Sequence, residues 1–159
     1  MERNRFLQRR HLFLSGSIQG GKSTTAQALT SAAAGRGLKA VYVTPCPSIV
    51  EEFRDQTWLG DGVAVVGLDD FQRLAEAVKG ARCVAVDEAQ KARDLKGIAE
   101  VIAEHVAVSQ ITTILWVADE AFEGLVRHAV RHGDPDAWRA MEMHAQFVRP
   151  MARSNWMNR

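Results

Sequence analysis

Short apolar runs alternate along this chain with segments in which apolar residues recur at the spacing of a helix. Short runs rich in β-branched and aromatic residues are typical of strands that are buried on both faces. The five predicted strands are residues 12–14, 39–44, 63–66, 82–86 and 111–118. Strands that alternate with helices predict a three-layer α/β fold, in which a mainly parallel five-stranded sheet lies between helices on both faces.

Helical periodicity fills the intervals between these strands. An Asp just before a helix accepts a hydrogen bond from a free N–H group of the first turn, so Asp69 is predicted to cap the third helix. Asp134 followed by Pro135 is the matching signal for a further helix near the end of the chain. The predicted helices before this one cover residues 23–34, 47–53, 71–78, 98–106 and 122–130, so the third helix is the one at 71–78.

The segment between the first strand and the first helix carries the pattern G-x-x-x-x-G-K-S, from Gly16 to Ser23. Its glycines let the backbone turn N–H groups around an anion, and the positive end of the following helix points at the same place. Lys22 is predicted to reach the β- and γ-phosphates of ATP, and Ser23 to hold Mg²⁺. The pattern therefore predicts a phosphate loop (P-loop) and an NTPase fold built on it. The predicted nucleotide-binding residues are Gly16, Ser17, Ile18, Gln19, Gly20, Gly21, Lys22, Ser23 and Thr24.

Two adjacent carboxylates, Asp87 and Glu88, follow the apolar strand at 82–86. A parallel strand would deliver them to the carboxyl edge of the sheet, beside the phosphate loop. Asp87 is predicted to hold Mg²⁺ directly or through water, and Glu88 to accept a proton from an attacking water or hydroxyl group. In the alternative interpretation, both residues are ordinary strand-end acids that cap the next turn.

Two arginines, Arg127 and Arg131, lie four residues apart on the predicted helix after the last strand. Like charges at this spacing repel each other unless a negative group lies between them. One interpretation is a solvated face on which Glu123 pairs with Arg127. The other is a lid whose guanidinium groups stabilise a phosphoryl group during transfer. With this lid, the predicted catalytic residues are Lys22, Asp87, Glu88, Arg127 and Arg131.

Length and composition predict a single domain over residues 1–159, since 47% hydrophobic residues are enough for one core. Within it we expect a basic leader at 1–10, a helical lid-like segment at 119–150 and a tail at 151–159. The net charge of +1 gives no global argument for nucleic acid or for a membrane surface. The two cysteines form no metal or disulfide motif, and no apolar run is long enough for a membrane span, so we expect a cytoplasmic protein.

Three stretches resemble known kinase families. Residues 13–45, FLSGSIQGGKSTTAQALTSAAAGRGLKAVYVTP, resemble the opening of thymidylate kinases and related deoxynucleoside and deoxynucleotide kinases. Residues 114–149 are similar to their last core strand and arginine-bearing lid, onto which Arg127 and Arg131 map. CVAVDEAQ, at 83–90, resembles the Asp-Glu-Ala-Gln stretch of the other, RecA-like thymidine kinase type, where Glu88 matches the proposed base. The chain departs from these families in having Thr44-Pro45-Cys46-Pro47 after the second strand and in lacking the zinc lasso.

Two functions follow from this mixture of features. In the favoured one, the protein is a P-loop kinase that moves the γ-phosphoryl group of Mg-ATP to a nucleoside, a nucleotide or base-hydroxylated DNA. The acceptor would be either a nucleotide held by the partner in a homodimer or a hydroxyl group presented by a larger molecule such as DNA. In the alternative, it is a RecA-like or terminase-like ATPase in which Glu88 activates water and the arginine helix contacts DNA or a neighbouring subunit. The additional strand at 63–66 suits the alternative.

Overall fold

Five strands form one parallel sheet in the computed structural model, which describes residues 9–16, 21–107 and 111–135. The strands are β1 (Arg9–Gly16), β2 (Ala40–Thr44), β3 (Val63–Gly67), β4 (Cys83–Val86) and β5 (Thr112–Asp119). They lie side by side in the order β1-β5-β4-β2-β3, so the last of these five strands is inserted between the first and the fourth. This confirms the predicted sheet.

Helices follow each strand, within a few residues of the predicted positions. The cap of the third helix is Asp70 and not Asp69, because Asp70 directly precedes the helix and its carboxylate accepts the Arg73 N–H at 3.1 Å. Asp69 instead accepts the backbone N–H of Arg93 at 3.2 Å. The helices are α1 (Lys22–Gly35), α2 (Pro47–Glu52), α3 (Phe71–Val78), α4 (Leu95–His105) and α5 (Glu123–Gly133), with 3-10 turns at Arg54–Gln56, Ala89–Lys91 and Glu120–Phe122.

The sheet has one apolar core on each face, because successive strand residues point to opposite sides. Leu14 packs on the α1 face, around Ala26 of that helix. Phe13 packs on the other face, where α3, α4 and α5 contribute Leu74, Ile98 and Val126 among other residues. The three predicted layers are therefore present, and the middle strands are buried on both sides. None of the helices in the described ranges is long and apolar enough to cross a membrane.

The first strand begins earlier than predicted. Arg9 and Arg10 pair with β5 and so belong to the sheet, not to the predicted leader at 1–10, because the Arg9 side chain finds a partner in Asp134. Asp134 is buried at the end of α5, and its carboxylate binds Arg9 and His11. Pro135 is helical, but the N–H groups that Asp134 would cap lie beyond residue 135, outside the described residues, so the predicted cap stays a prediction. The tail at 151–159 also lies outside the described residues.

Candidate nucleotide-binding site

The carboxyl ends of β1, β5 and β4 meet at one edge of the sheet, where parallel α/β folds bind their ligands. The register of β1 and β5 places Gly16 directly opposite Asp119. The first turn of α1 lies at the same edge, and a cleft of about 510 Å³ opens between these elements. Six of the predicted site residues line it, which are Gly21, Lys22, Ser23, Thr24, Asp87 and Glu88. The other lining residues are Lys91, Val117, Ala118 and Asp119.

Gly21 begins α1 in a left-handed conformation, with φ of 76°. Only glycine adopts this conformation without strain, and glycine has no side chain with which to cap the helix. The first N–H groups of a helix have no acceptor within the helix, and such groups are a common binding site for an anion. Ser17, Ile18, Gln19 and Gly20 lie outside the described residues, and their phosphate contacts stay predictions.

The side chain of Lys22 contacts the carboxyl ends of β1 and β5. Its side chain is largely buried, with the residue 8% exposed. The Nζ atom donates a hydrogen bond to the Gly16 carbonyl at 2.8 Å and lies 3.4 Å from Oδ1 of Asp119. The ammonium group is thus held at the point where the motif predicts phosphate binding.

Asp87 is buried and held by two hydrogen bonds. Its Oδ1 accepts the backbone N–H of Glu88 at 2.9 Å, and its Oδ2 accepts the hydroxyl of Tyr42. Burial, together with the charge of Asp87, raises the pKa of Tyr42 far above its usual range, so the hydroxyl remains a donor. Sequence reasoning missed Tyr42, because its position beside Asp87 depends on β2 pairing with β4.

Glu88 directly follows Asp87 and has φ of 47°, the one positive φ of a non-glycine residue in the described ranges. Such a conformation is uncommon for a residue with a side chain and costs about 1–3 kcal/mol. The Glu88 carboxylate lies 2.7 Å from Nζ of Lys91, and its hydrogen bond raises the pKa of that ammonium group. Lys91 was not predicted, although it stands three residues after Glu88.

Asp119 is a further acidic residue of the cleft, and the sequence placed it only at the start of the lid-like segment. Its Oδ2 accepts a hydrogen bond from Nε2 of Gln90 at 3.3 Å. Gln90 lies in the turn that follows Glu88, so this contact connects the end of β5 to the turn after β4. A polar residue at the end of the last predicted strand was the signal that could have marked Asp119.

The two predicted lid arginines are not among the residues that line the cleft. Arg127 donates to Oε1 of Glu123 at 3.2 and 3.1 Å, and its guanidinium group lies 4.5 Å from the centre of the Phe13 ring. Arg131 is exposed one turn further along α5, away from Asp119. The contacts of Arg127 match the solvated-face interpretation, and a phosphate contact by either arginine stays a prediction.

The polar groups of the cleft fit Mg²⁺ by their chemistry. The Ser23 hydroxyl and the Asp87 carboxylate supply oxygen ligands, which this hard cation prefers. Mg²⁺ usually keeps water and phosphate oxygens alongside one or two protein ligands, so a larger protein cage is not required.

Comparison with known proteins gives similarity in structure only. No family model matches the sequence, and no curated protein matches it significantly. Among solved structures, the chain is similar to the flagellar accessory protein FlaH from Methanocaldococcus jannaschii, with 11% identity over 76% of this chain and 67% of that chain and a TM-score of 0.49. It is also similar to a KaiC-like protein from Pyrococcus horikoshii OT3, with 17% identity over 83% and 68% of the two chains and a TM-score of 0.45. The parallel sheet, the phosphate-loop pattern and the flanking helices of this chain form a P-loop NTPase fold.

Proposed function

We propose that this chain is a RecA-like ATPase module that binds Mg-ATP at the carboxyl edge of its sheet and hydrolyses it. The observation that carries the proposal is the position of β5 between β1 and β4. In RecA-like ATPases one strand separates the phosphate-loop strand from the strand that carries the Mg²⁺-binding acid. In nucleotide kinases these two strands are neighbours. The strand order therefore favours a RecA-like module over the thymidylate-kinase-like phosphotransferase of the sequence resemblance. Hydrolysis is favoured over a RecA-like thymidine kinase because the sequence lacks the zinc lasso that closes over thymidine in that type.

The inserted strand also has a physical consequence for the reaction. Neighbouring strands are about 4.8 Å apart, so β1 and β4 are separated by roughly 10 Å. This separation leaves room for a γ-phosphate and an attacking water between Lys22 and Glu88. The cleft has a volume of about 510 Å³, which is more than a phosphate group and a water molecule need.

Each residue then has a defined task. Lys22 and the first turn of α1 bind the phosphates, while Ser23 and Asp87 hold Mg²⁺, which when bound neutralises phosphate charge. Tyr42 keeps Asp87 in place through its hydrogen bond. Glu88 takes a proton from the water whose oxygen attacks the γ-phosphorus, as the bond from that phosphorus to the bridging oxygen of ADP breaks.

The test follows the label of γ-labelled ATP in the presence of Mg²⁺. The full chain is incubated alone, with DNA, and with a panel of nucleosides, nucleotides and base-hydroxylated DNA. We expect the label to appear as free phosphate. Label on any acceptor would establish the kinase function instead, and acceleration by DNA would identify DNA as the partner.

Two variants connect this activity to the cleft. Lys22→Ala should abolish turnover, because it removes the phosphate-binding ammonium group. Glu88→Gln should still bind ATP but hydrolyse it at least about 100-fold more slowly, since the amide is not a base. Glu104→Gln, an exposed change near the end of α4, is the control and should leave the rate unchanged. An unaffected rate in Glu88→Gln would remove Glu88 from the mechanism.

A further inference from the structure

The charged side chains that line the cleft do not match a free triphosphate. Three carboxylates, those of Asp87, Glu88 and Asp119, face two ammonium groups, those of Lys22 and Lys91. Counted over the residues that the structure describes, the formal charge of the lining is therefore −1. Residues 17–20 of the loop are Ser, Ile, Gln and Gly, which add no charged side chain. A strongly anionic ligand thus meets a lining that is itself slightly anionic.

Asp119 is the acid that competes directly with phosphate for Lys22. Its Oδ1 lies 3.4 Å from Nζ of Lys22, while its Oδ2 is occupied by the Gln90 amide. Its backbone is fixed by pairing with β1, opposite Gly16, so the carboxylate is anchored beside the loop. The side chain is 36% exposed, and solvent weakens its field without removing it.

We propose that Asp119 makes the site selective for the Mg²⁺ complex of the nucleotide over the free nucleotide. The proposal rests on the ATP site proposed above and adds the residue that determines its metal dependence. A free triphosphate has to displace the Asp119 carboxylate from Lys22. It then lies beside that carboxylate, which has lost its ammonium partner. The Mg²⁺ complex brings its own positive charge, which offsets both the ligand charge and the carboxylate.

The experiment measures equilibrium binding of ATP to the full chain by calorimetry, once with Mg²⁺ and once with EDTA. For the wild type we expect binding at least about tenfold tighter with Mg²⁺, as charges within a few ångströms at a partly exposed site imply. Asp119→Asn should bind free ATP about tenfold more tightly than the wild type does. Its affinity for Mg-ATP should change less than about threefold, so the ratio between the two conditions falls, while Ser23 and Asp87 keep it above one.

Two control variants separate charge at this position from charge in general. Glu120→Gln removes an equal charge one residue further along, on an exposed residue outside the cleft lining, and should keep the wild-type ratio. Asp119→Glu retains the charge and should keep most of the metal dependence. Thermal unfolding of each variant shows whether it is folded under the conditions of the titration.

Each result decides between defined alternatives. A wild type that binds ATP equally well in Mg²⁺ and EDTA overturns the role of Asp119 and leaves the ATP site standing, whatever the variants do. A wild-type ratio that persists in folded Asp119→Asn also overturns it and makes Asp119 a structural partner of Lys22. A wild type that binds ATP in neither condition overturns the ATP site itself, and this proposal with it.

Discussion

The hydroxyl of Tyr42 stabilises a carboxylate that would be costly to bury alone. Asp87 is 3% exposed, and a buried charge needs hydrogen-bond donors to replace water. Gln27 donates to the Tyr42 oxygen at 3.4 Å, which leaves the O–H of Tyr42 to point at Asp87. The same carboxylate is thereby held in one orientation towards the cleft edge.

Replacing Tyr42 with Phe tests this role. The change leaves the ring in the core but removes the donor, and an unsatisfied buried acceptor costs about 1–3 kcal/mol. We expect the free energy of unfolding in urea to fall by that amount. The Mg²⁺ concentration for half-maximal hydrolysis should rise several-fold, because Asp87 is less firmly oriented. Unchanged values of both quantities would show that the hydrogen bond contributes little.

Local spacing explains which site residues could be predicted from sequence. Lys22 and Ser23 belong to one continuous motif, and Asp87 with Glu88 follow an apolar strand directly, so a short window contains the signal. Tyr42 and Asp119 reach the site through strand pairing over long distances in the chain. The residues next to them in the sequence do not indicate which strands will pair.

At the scale of elements, α4 and α5 approach each other closely at Gly133. A Cβ atom on this residue would lie 2.5 Å from Cβ of Ala99 and 2.8 Å from the carbonyl oxygen of Lys96. The second contact is with backbone, which cannot move aside as a flexible side chain can. The small residue therefore permits the packing of these two helices.

Gly133→Ala should lower the free energy of unfolding by about 1–3 kcal/mol, because the added methyl group forces α4 and α5 apart. Gly124→Ala is a matched control on the same helix, where nothing lies within 4 Å of the added atom. Since Ala favours a helix over Gly, that variant should be neutral or up to about 1 kcal/mol more stable. Urea unfolding measures both, and equal effects would contradict the close-packing explanation.

At the scale of the whole molecule, a buried polar network joins the two ends of the described chain. Trp116 donates its indole N–H to Nδ1 of His11 at 2.9 Å, so the proton of the neutral imidazole is on Nε2, which donates to Asp134. Arg9 adds two hydrogen bonds of 2.9 Å to the same carboxylate. The network lies at the opposite end of β1 from Gly16, and it attaches the end of α5 to the sheet.

Asp134 should make stability depend on pH. Burial alone raises its pKa, but hydrogen bonds from His11 and Arg9 outweigh burial and hold the pKa below the ordinary 3.8. A lowered pKa in the folded state gives stability that is complete above the unfolded-state value and is lost as the pH falls through the folded-state value. We therefore expect the free energy of unfolding to fall as the pH drops below about 4.

Asp134→Asn should lose about 3 kcal/mol at pH 7, because Arg9 keeps its charge without a carboxylate partner. The difference from the wild type should shrink in urea titrations at pH 3. Asp69→Asn, which removes an exposed acid 3.7 Å from Arg93, is the control and should change stability by less than about 1 kcal/mol. A pH-independent difference for Asp134→Asn would contradict the assigned role.

The alternation of apolar runs and helical segments correctly predicted the fold class and the five strands, but it contains no information on their order. Each run such as 63–66 or 111–118 is apolar on both faces, so periodicity alone does not say which strand is its neighbour. The insertion of β5 between β1 and β4 is decided by pairing across the whole chain. That order is also the observation on which the proposed ATPase function rests.

The insertion of β5 between β1 and β4 also determines when the sheet edge beside the phosphate-loop segment can form during protein synthesis. Within the described residues, β1 pairs with β5. Arg9 pairs with Thr112, which comes more than a hundred residues later in the chain. The loop segment, α1 and β4 are all synthesised before β5. At that stage every part of the phosphate-binding motif is present, but the strand that pairs with β1 is not. Such long-range pairing closes slowly and leaves apolar edges open in the meantime. We therefore expect the growing chain to complete the carboxyl edge of this sheet only after β5 has emerged, with the apolar β1 left without its neighbouring strand until then.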